Sequence, residues 1–300
     1  MPGAAAGGDP GLRDEVAKAV ADVLGRDGAT PEPGVALATF GFDSLAYAEL
    51  GAALSESRGI DLLDAGLIRI ETLEDLKDAV EQAAAHPGAA GELVPLTFGT
   101  RQRFAKSTMS GLLRWWFDLE VVGAELMPST GPVVLCMNHE SILDIPAVAV
   151  GSTRPITFMA KRELFRSPAV SRAWGRLGAF SVDRDLFDLR AIRIGLEVVR
   201  RGEVLGMYPE GTRKPGTLLE FLSGAPWIAL STGAPLLPCA IAGTERALPR
   251  GKRMPRRIPI RVTFLPPVEV EPVDDPVKRR AEAERLAADL RESIRPLLSY

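Results

Sequence analysis

The sequence is poor in cysteine and histidine, with two residues of each, and these shortages exclude several classes of protein. Both Cys136 and Cys239 lie in apolar runs, so a disulfide-stapled fold is not expected and a reducing cytoplasm is the predicted location. The first ten residues lack the basic and apolar regions of a signal peptide. No P-loop, GxGxxG run or Cys/His cluster is present, so we predict no nucleotide, no metal and no nucleic-acid partner.

Charged residues are missing from one stretch, residues 221–244, which is long enough to cross a bilayer. Glycines and prolines punctuate it where turns would fall. We therefore predict a helix to about Thr232, a turn and a buried strand over 236–243, with no membrane-spanning segment.

The 300 residues are 46% hydrophobic, which suffices for about two packed domains. Residues 1–85 carry 16 acidic and 6 basic side chains, a net charge of −10, whereas the rest of the chain has a net charge of +7. This division predicts different partners for the two parts, or an attraction between them.

Hydrophobic periodicity indicates a disordered N-terminus over 1–10, a helical domain over 11–85, a linker over 86–95 with its boundary near residue 88, and a second domain over 96–300. Thr72 and Asp75 form a predicted capping box before the last helix of the first domain. In the second domain, helical stretches separate six short apolar runs, a pattern that predicts an α/β fold whose mostly parallel central sheet is covered by helices. The runs are 133–137, 156–160, 179–184, 204–209, 236–243 and 258–266.

Ser44 stands between a glycine-containing loop and an apolar helical stripe, in GFDSLAYAEL. Alone, this position suits an ordinary helix N-cap. With RGIDLL and TLEDL following in an acidic helical unit, residues 11–85 resemble an acyl or peptidyl carrier protein. The resemblance implies a four-helix bundle in which a phosphopantetheinyl transferase attaches 4'-phosphopantetheine to Ser44, so that its thiol carries an acyl group as a thioester.

His139, in CMNHESILDIP, is the single imidazole of the larger domain, because His86 falls in the linker. On a continuous helix His139 and Asp144 would lie about 140° apart. A loop carrying His139 before a helix that begins at Asp144 would let the carboxylate orient the imidazole as a general base. A structural histidine beside a capping aspartate remains an alternative from this segment alone. Cys136, in its apolar run, is predicted to be a protonated packing residue.

Four blocks, NHESILD, GAFSVDRD, YPEGTR and APLLPCAI, resemble in this order the glycerolipid acyltransferases typified by 1-acylglycerol-3-phosphate acyltransferase, over roughly residues 110–265. The resemblance implies that His139 and Asp144 are catalytic. It also implies a set of substrate-binding residues that hold the acceptor's phosphate, for which the arginines, Thr212 and the Gly211 amide are suitable donors. A carboxylate is unusual beside a phosphate, so we expect Glu210 to orient the arginines. The set is Lys161, Arg184, Glu210, Gly211, Thr212 and Arg213. Leu222 replaces a lysine that the family commonly has.

The resemblances together imply transfer of an acyl chain from a carrier or CoA thioester to a lysophospholipid hydroxyl. Transfer to a hydroxyl or amine of a specialised metabolite and a non-catalytic carrier platform are the alternatives. An aromatic-rich segment over 104–117 and six basic residues within 250–261 suit peripheral contact with the cytoplasmic membrane face. The sequence of the aromatic-rich segment fits core packing equally well. That of the basic segment fits a solvated loop, or a loop that docks the acidic carrier, equally well.

Overall fold

The structure is a computed structural model that describes residues 10–24, 34–40, 42, 46–47, 49–51, 53–54, 72–85, 110–161, 179–182, 189–214, 216–252 and 254–298. It divides into two compact units, the first made mainly of residues 1–93 and the second of 94–184, 194–274 and 278–300. The predicted linker 86–95, with its boundary near residue 88, lies outside the described residues, as do residues 1–9 of the predicted disordered terminus.

The described part of the first unit is helical. Helix α1 spans Pro10–Val23 and so begins within the segment predicted to be disordered, a 3-10 turn spans Leu37–Phe40, helical residues lie between 46 and 54, and helix α2 spans Leu73–Ala85. The predicted capping box is confirmed, because the backbone N–H of Thr72 donates to Asp75 and that of Asp75 donates to the Thr72 hydroxyl. Residues 55–71 lie outside the described residues, and the predicted count of four helices stays a prediction.

An apolar core fills the first unit, built from the helical stripes that the periodicity predicts. Its buried members include Val16, Val20, Leu50, Leu76 and Val80. The stripes bury their side chains because residues three and four apart share one helix face.

Within the described part of the second unit, seven strands form one sheet in the order β1-β7-β6-β2-β5-β3-β4. Every neighbouring pair is parallel except β6–β7, which confirms the predicted mostly parallel sheet. The strands are β1 Glu120–Val122, β2 Val133–Met137, β3 Ile156–Lys161, β4 Ala179–Val182, β5 Val204–Met207, β6 Leu236–Ala242 and β7 Arg261–Phe264.

The sequence patterns located six of these strands and missed β1. Strand β1 has only three residues, lies at the sheet edge and alternates between exposed and half-buried positions, so it lacks the apolar run that marks the others. The predicted strand 258–266 shortens to β7, since Pro259 and Pro266 flank it and cannot donate ladder hydrogen bonds.

Helices follow most of the strands, as expected for an α/β domain. In the described residues they are α3 Asp144–Gly151, α4 Leu189–Arg200, α5 Gly224–Thr232, α6 Thr244–Ala247 and α7 Pro276–Ile294. The uncharged stretch folds as predicted, because α5 ends at the left-handed Gly233 and the buried strand β6 follows. None of the helices in the described ranges has both the length and the apolar character that crossing a membrane requires.

Candidate active site

Three loops at the carboxyl ends of neighbouring parallel strands contain the candidate site. His139 follows β2, the residues 210–213 follow β5, and Thr244 follows β6, while β2 lies between β5 and β6 in the sheet. Because parallel strands end at the same edge, their following loops converge there.

The imidazole of His139 and the carboxylate of Asp144 are in direct contact. His139 Nδ1 lies 2.8 Å from Asp144 Oδ2, and both residues are buried. The chain leaves β2 as a loop, and α3 begins at Asp144, so the predicted loop-and-helix arrangement is confirmed. When Nδ1 donates its proton to this carboxylate, the ring lone pair remains on Nε2 for a substrate proton.

Asp144 also holds the loop that carries His139. Its Oδ2 accepts the backbone N–H groups of Glu140 and Ser141 at 2.8 and 2.9 Å. Its Oδ1 accepts the hydroxyl of Thr244 at 2.5 Å. Four donors thus surround a carboxylate that has no solvent exposure, and such hydrogen bonds compensate the cost of burying its charge.

Thr244 is a site residue that sequence reasoning missed. It is the first residue of α6, separated from the end of β6 by Gly243 alone, and it is fully buried. Gly243 makes the turn into α6 at φ 90°, where a Cβ would collide with the Pro259 carbonyl oxygen. The Gly-Thr pair after the apolar fourth block was the available signal.

Asn138 is a second missed residue, and it joins two strands beyond their ladder. Its Nδ2 donates to the carbonyl of Ile241 at 2.8 Å, and its Oδ1 accepts the Ile241 N–H at 2.7 Å. This buried side chain fixes the end of β2, and with it the start of the His139 loop, to β6. A polar residue directly after a fully buried strand was the available signal.

The ring of Tyr208 stacks on the His139 imidazole, with centroids 4.0 Å apart and an interplanar angle of 25°. Burial and the nearby Asp144 carboxylate raise the pKa of the Tyr208 phenol well above its usual value, so the ring stays neutral. Among the described residues its hydroxyl has no hydrogen-bond partner. The main contribution of Tyr208 to the site is therefore the face of its ring.

Glu210 supports the His139 loop, and its predicted role in orienting the arginines stays a prediction because Arg184 lies outside the described residues. Its Oε1 accepts the backbone N–H of His139 at 2.6 Å, and its Oε2 accepts that of Leu219 at 2.9 Å. Both oxygens of the buried carboxylate are thus taken by backbone donors. Burial raises the pKa of Glu210 to about 6, despite the opposing effect of these hydrogen bonds.

Arg291 of α7 holds the far end of the same connection. Its guanidinium donates to the carbonyls of Leu218 and Leu219 at 3.2 and 2.8 Å. Since the Leu219 N–H reaches Glu210, a continuous series of hydrogen bonds links α7 to the backbone of His139.

The YPEGTR loop turns sharply at Gly211, at φ 66°. The Gly211 N–H donates to the Tyr208 carbonyl at 3.1 Å and so closes this turn, while the predicted contact of the amide with phosphate stays a prediction. Thr212 is exposed and Arg213 is half-buried. Leu222, where the family has lysine, lies beside Gly211, so a Cβ at residue 211 would be 3.1 Å from the Leu222 Cδ1.

An open pocket of about 210 Å³ lies between the His139 loop and the YPEGTR loop. The residues Glu140–Ile142, Arg213 and the segment Leu248–Lys252 line it. It therefore contains a side chain that the sequence assigned to the acceptor phosphate, next to the loop that carries His139.

Three predicted site residues are not placed by the structure. Ser44 and Arg184 lie outside the described residues, and only the backbone of Lys161, the last residue of β3, is described. On either side of Ser44, Phe42 and Tyr47 are buried and pack edge to face, with ring centroids 4.5 Å apart. Where Ser44, Arg184 and Lys161 act therefore stays a prediction.

The two thiols are structural. Burial raises the pKa of Cys136 to about 12 and raises that of Cys239 further, so both stay protonated, as predicted for Cys136. The described ranges contain no group of three or more His, Cys, Asp or Glu side chains placed to hold a metal ion.

Comparisons with known proteins agree with both resemblances. Residues 14–80 match the family model described as the phosphopantetheine attachment site, and residues 118–242 match the acyltransferase model. The protein thus joins a carrier-type domain to an acyltransferase domain. The acyltransferase-type domain is similar to 1-acyl-sn-glycerol-3-phosphate acyltransferases.

Two relatives illustrate the similarity. A chloroplastic 1-acyl-sn-glycerol-3-phosphate acyltransferase from Brassica napus is 32% identical over 45% of this chain and 40% of its own length. The corresponding protein from Bacillus subtilis is 28% identical over 47% of this chain and 71% of its own. The chain therefore spans about two fifths of the length of the chloroplast relative.

The fold resembles a solved structure as well. The crystal structure of the 1-acyl-sn-glycerophosphate acyltransferase from Thermotoga maritima is 22% identical, with a TM-score of 0.50, and the match covers 83% of this chain and 95% of that one. At this identity the similarity shows the fold.

Proposed function

We propose that the protein transfers an acyl chain from a carrier or CoA thioester to a hydroxyl group of a lysophospholipid such as 1-acylglycerol-3-phosphate. The contact between His139 and Asp144 carries the proposal, because it orients the imidazole for general-base catalysis within a domain of the acyltransferase family. Ser44, within the matched carrier domain, holds the donor's phosphopantetheine arm.

The reaction has two steps at one carbonyl carbon. His139 Nε2 removes the acceptor's hydroxyl proton while the oxygen attacks the thioester carbon, and a tetrahedral intermediate forms. The C–S bond then breaks, and the imidazolium returns the proton to the leaving thiolate, so the products are an ester and a free thiol. Asp144 stabilises the transient imidazolium and maintains its tautomer.

The acceptor's phosphate binds beside the YPEGTR loop. Arg213 supplies a guanidinium at the pocket and Thr212 an exposed hydroxyl, while Arg184 is assigned by the resemblance. Glu210 supports the backbone of this site, and the Gly211 amide closes its turn.

A specialised-metabolite hydroxyl or amine is the second candidate acceptor. The exposed side chain of Leu222 favours it, because an apolar group beside Gly211 replaces a charge that would suit a highly anionic acceptor. A built-in carrier also suits an enzyme with a dedicated donor.

We place the protein in the cytoplasm, in peripheral contact with the membrane surface. The helical segment 110–117 buries Leu113 and Phe117 but exposes Leu112 and Trp115, at 58% and 64%. The Arg257 guanidinium lies 5.9 Å from the centroid of a Trp115 ring. Exposed aromatic and aliphatic groups beside arginine suit an anionic lipid interface.

The deciding experiment uses the full chain loaded with an acyl group on its phosphopantetheine arm. Transfer is measured to a panel of acceptors that includes 1-acylglycerol-3-phosphate, its phosphate-free analogue and small alcohols and amines. Transfer to the lysophospholipid supports the first proposal, and preferential transfer to a small alcohol or amine supports the second. No transfer to any acceptor would contradict both.

A further inference from the structure

The open pocket beside the His139 loop has a strongly positive lining. Arg213, Arg250 and Lys252 contribute three cationic side chains, and Glu140 is the single acidic residue of the lining. Among the described residues, none forms an ion pair with any of these three cations. No described carboxylate therefore neutralises these three charges within ion-pairing distance.

The turn over residues 249–252 holds Arg250 and Lys252 against the pocket. The Lys252 N–H donates to the Pro249 carbonyl at 3.0 Å, and Gly251 adopts φ 82° within the turn. Ser141 Oγ donates to the Leu248 carbonyl at 3.0 Å, which ties this segment to the His139 loop. The backbone of the turn is therefore held next to the loop that carries the general base, and the exposed Arg250 and Lys252 side chains extend from it into the pocket lining.

Leu222 is uncharged, and the cations of the turn over 249–252 provide positive charge in its stead. Its side chain lies beside Gly211 and is not part of the pocket lining, so the position that is lysine in the family supplies no cation here. Arg250 and Lys252 come from the segment after α6, beyond the residues matched by the acyltransferase model. They supply charge to the pocket that Arg213 also lines.

We propose that Arg250 and Lys252, with Arg213, form a subsite for a phosphate monoester on the acceptor, replacing the missing lysine. The inference rests on the proposed function, since it names the group on the acceptor that the pocket recognises. Arginine and lysine donate charge-assisted hydrogen bonds to phosphate oxygens, and such bonds hold strongly in a partly enclosed site. Specificity for a phosphorylated acceptor then resides in the turn over 249–252.

Binding can be tested apart from catalysis by titrating the full chain with sn-glycerol 3-phosphate and following NMR shifts. The double variant Arg250→Ala/Lys252→Ala is expected to weaken binding at least about tenfold, the effect of losing one charge-assisted hydrogen bond. Arg256→Ala is the matched control, because it removes a charge from the same basic segment outside the pocket lining. Equal affinity of the double variant and the wild type, or no binding by either, would overturn the subsite.

Kinetics then identify the phosphate that is bound. In the double variant the KM for 1-acylglycerol-3-phosphate should rise about tenfold or more, with no change for its phosphate-free analogue or for acyl-CoA. A rise confined to the acyl-carrier donor would show that the turn docks the acidic carrier and would overturn the proposal. Weakened glycerol 3-phosphate binding without acyl transfer by the wild type would retain the subsite and reject the proposed function. Acyl transfer by the wild type, with the same acceptor KM in the double variant, would support the proposed function and reject the subsite.

Discussion

The hydroxyl of Thr244 donates a 2.5 Å hydrogen bond to the Oδ1 of Asp144, a residue 100 positions earlier in the chain. The bond reaches the side of the carboxylate that His139 does not use. Thr244 is therefore a positioning residue, because it acts on the imidazole through Asp144.

Thr244→Val keeps the shape of the side chain and removes this bond. We expect kcat to fall about tenfold and the free energy of unfolding to drop by about 1–3 kcal/mol, since a buried carboxylate oxygen loses its donor. Single-turnover transfer and urea unfolding measure the two effects. Thr244→Ser should restore both, whereas an equal loss in the serine variant would contradict the positioning role.

His139→Ala should abolish transfer and leave the fold intact, and Asp144→Asn should be severely impaired. A general base contributes about 10²- to 10⁴-fold, and the asparagine loses the charge that stabilises imidazolium. The double variant should be no worse than His139→Ala, because base and orienter act as one unit. Single-turnover transfer from preloaded carrier, with circular dichroism as the folding control, tests this. A folded His139→Ala variant with near wild-type transfer would rule out the general-base mechanism.

Tyr208→Phe should retain activity, because the ring that stacks on His139 remains. It should also be as stable as the wild type or about 1 kcal/mol more stable, because a buried hydroxyl without a protein partner among the described residues is removed. Tyr208→Leu removes the stack and should lower kcat. Steady-state kinetics and thermal unfolding compare the three proteins, and equal kcat for the phenylalanine and leucine variants would refute a role for the ring.

Glu210 predicts a pH-dependent stability. Its pKa rises from 4.5 to about 6 on folding, so between these values the folded protein binds more protons at this site than the unfolded chain. The free energy of unfolding should therefore fall as the pH rises from about 4.5 to 6, by at most about 2 kcal/mol from this group.

Glu210→Gln is the control, because it removes the titration. Urea unfolding across this pH range should show a flatter profile for the variant than for the wild type. The variant should also lose activity, since a glutamine NH₂ group cannot accept the N–H of His139 or Leu219 that it would face. Parallel stability profiles would refute the assignment.

Ser44 is the predicted attachment site of the phosphopantetheine arm. Incubation of the full chain with a phosphopantetheinyl transferase and coenzyme A should add one arm, detected by intact mass. Ser44→Ala should show no gain, and its fold is checked by circular dichroism. An unchanged wild-type mass, or the same gain in the variant, would contradict the carrier assignment.

The sequence contained enough information for the parts of the site that are local in the chain. The five-residue spacing of His139 and Asp144 admits their contact only across a loop–helix junction, and that junction is present. Apolar runs between helical stretches located six of the seven described strands, because a buried parallel strand has both faces covered.

The remaining site residues depend on contacts that no local pattern records. Asn138 and Thr244 meet partners 103 and 100 positions away, and only the pairing of β2 with β6 in the sheet brings them together. The contacts of Glu210 are of this kind too, because its carboxylate accepts backbone donors from two other segments of the chain, at His139 and Leu219.

The saturation of the Asp144 carboxylate has a consequence for motion. If the His139 loop opened, the Asp144 carboxylate would lose three hydrogen-bond donors at once, the His139 ring N–H and the backbone amides of Glu140 and Ser141. Water does not reach this carboxylate to replace them. Hydrogen exchange at the amides of Glu140 and Ser141 should therefore require global unfolding. We therefore expect any rearrangement that admits a long acyl chain to take place in other segments, while the His139 imidazole keeps its position.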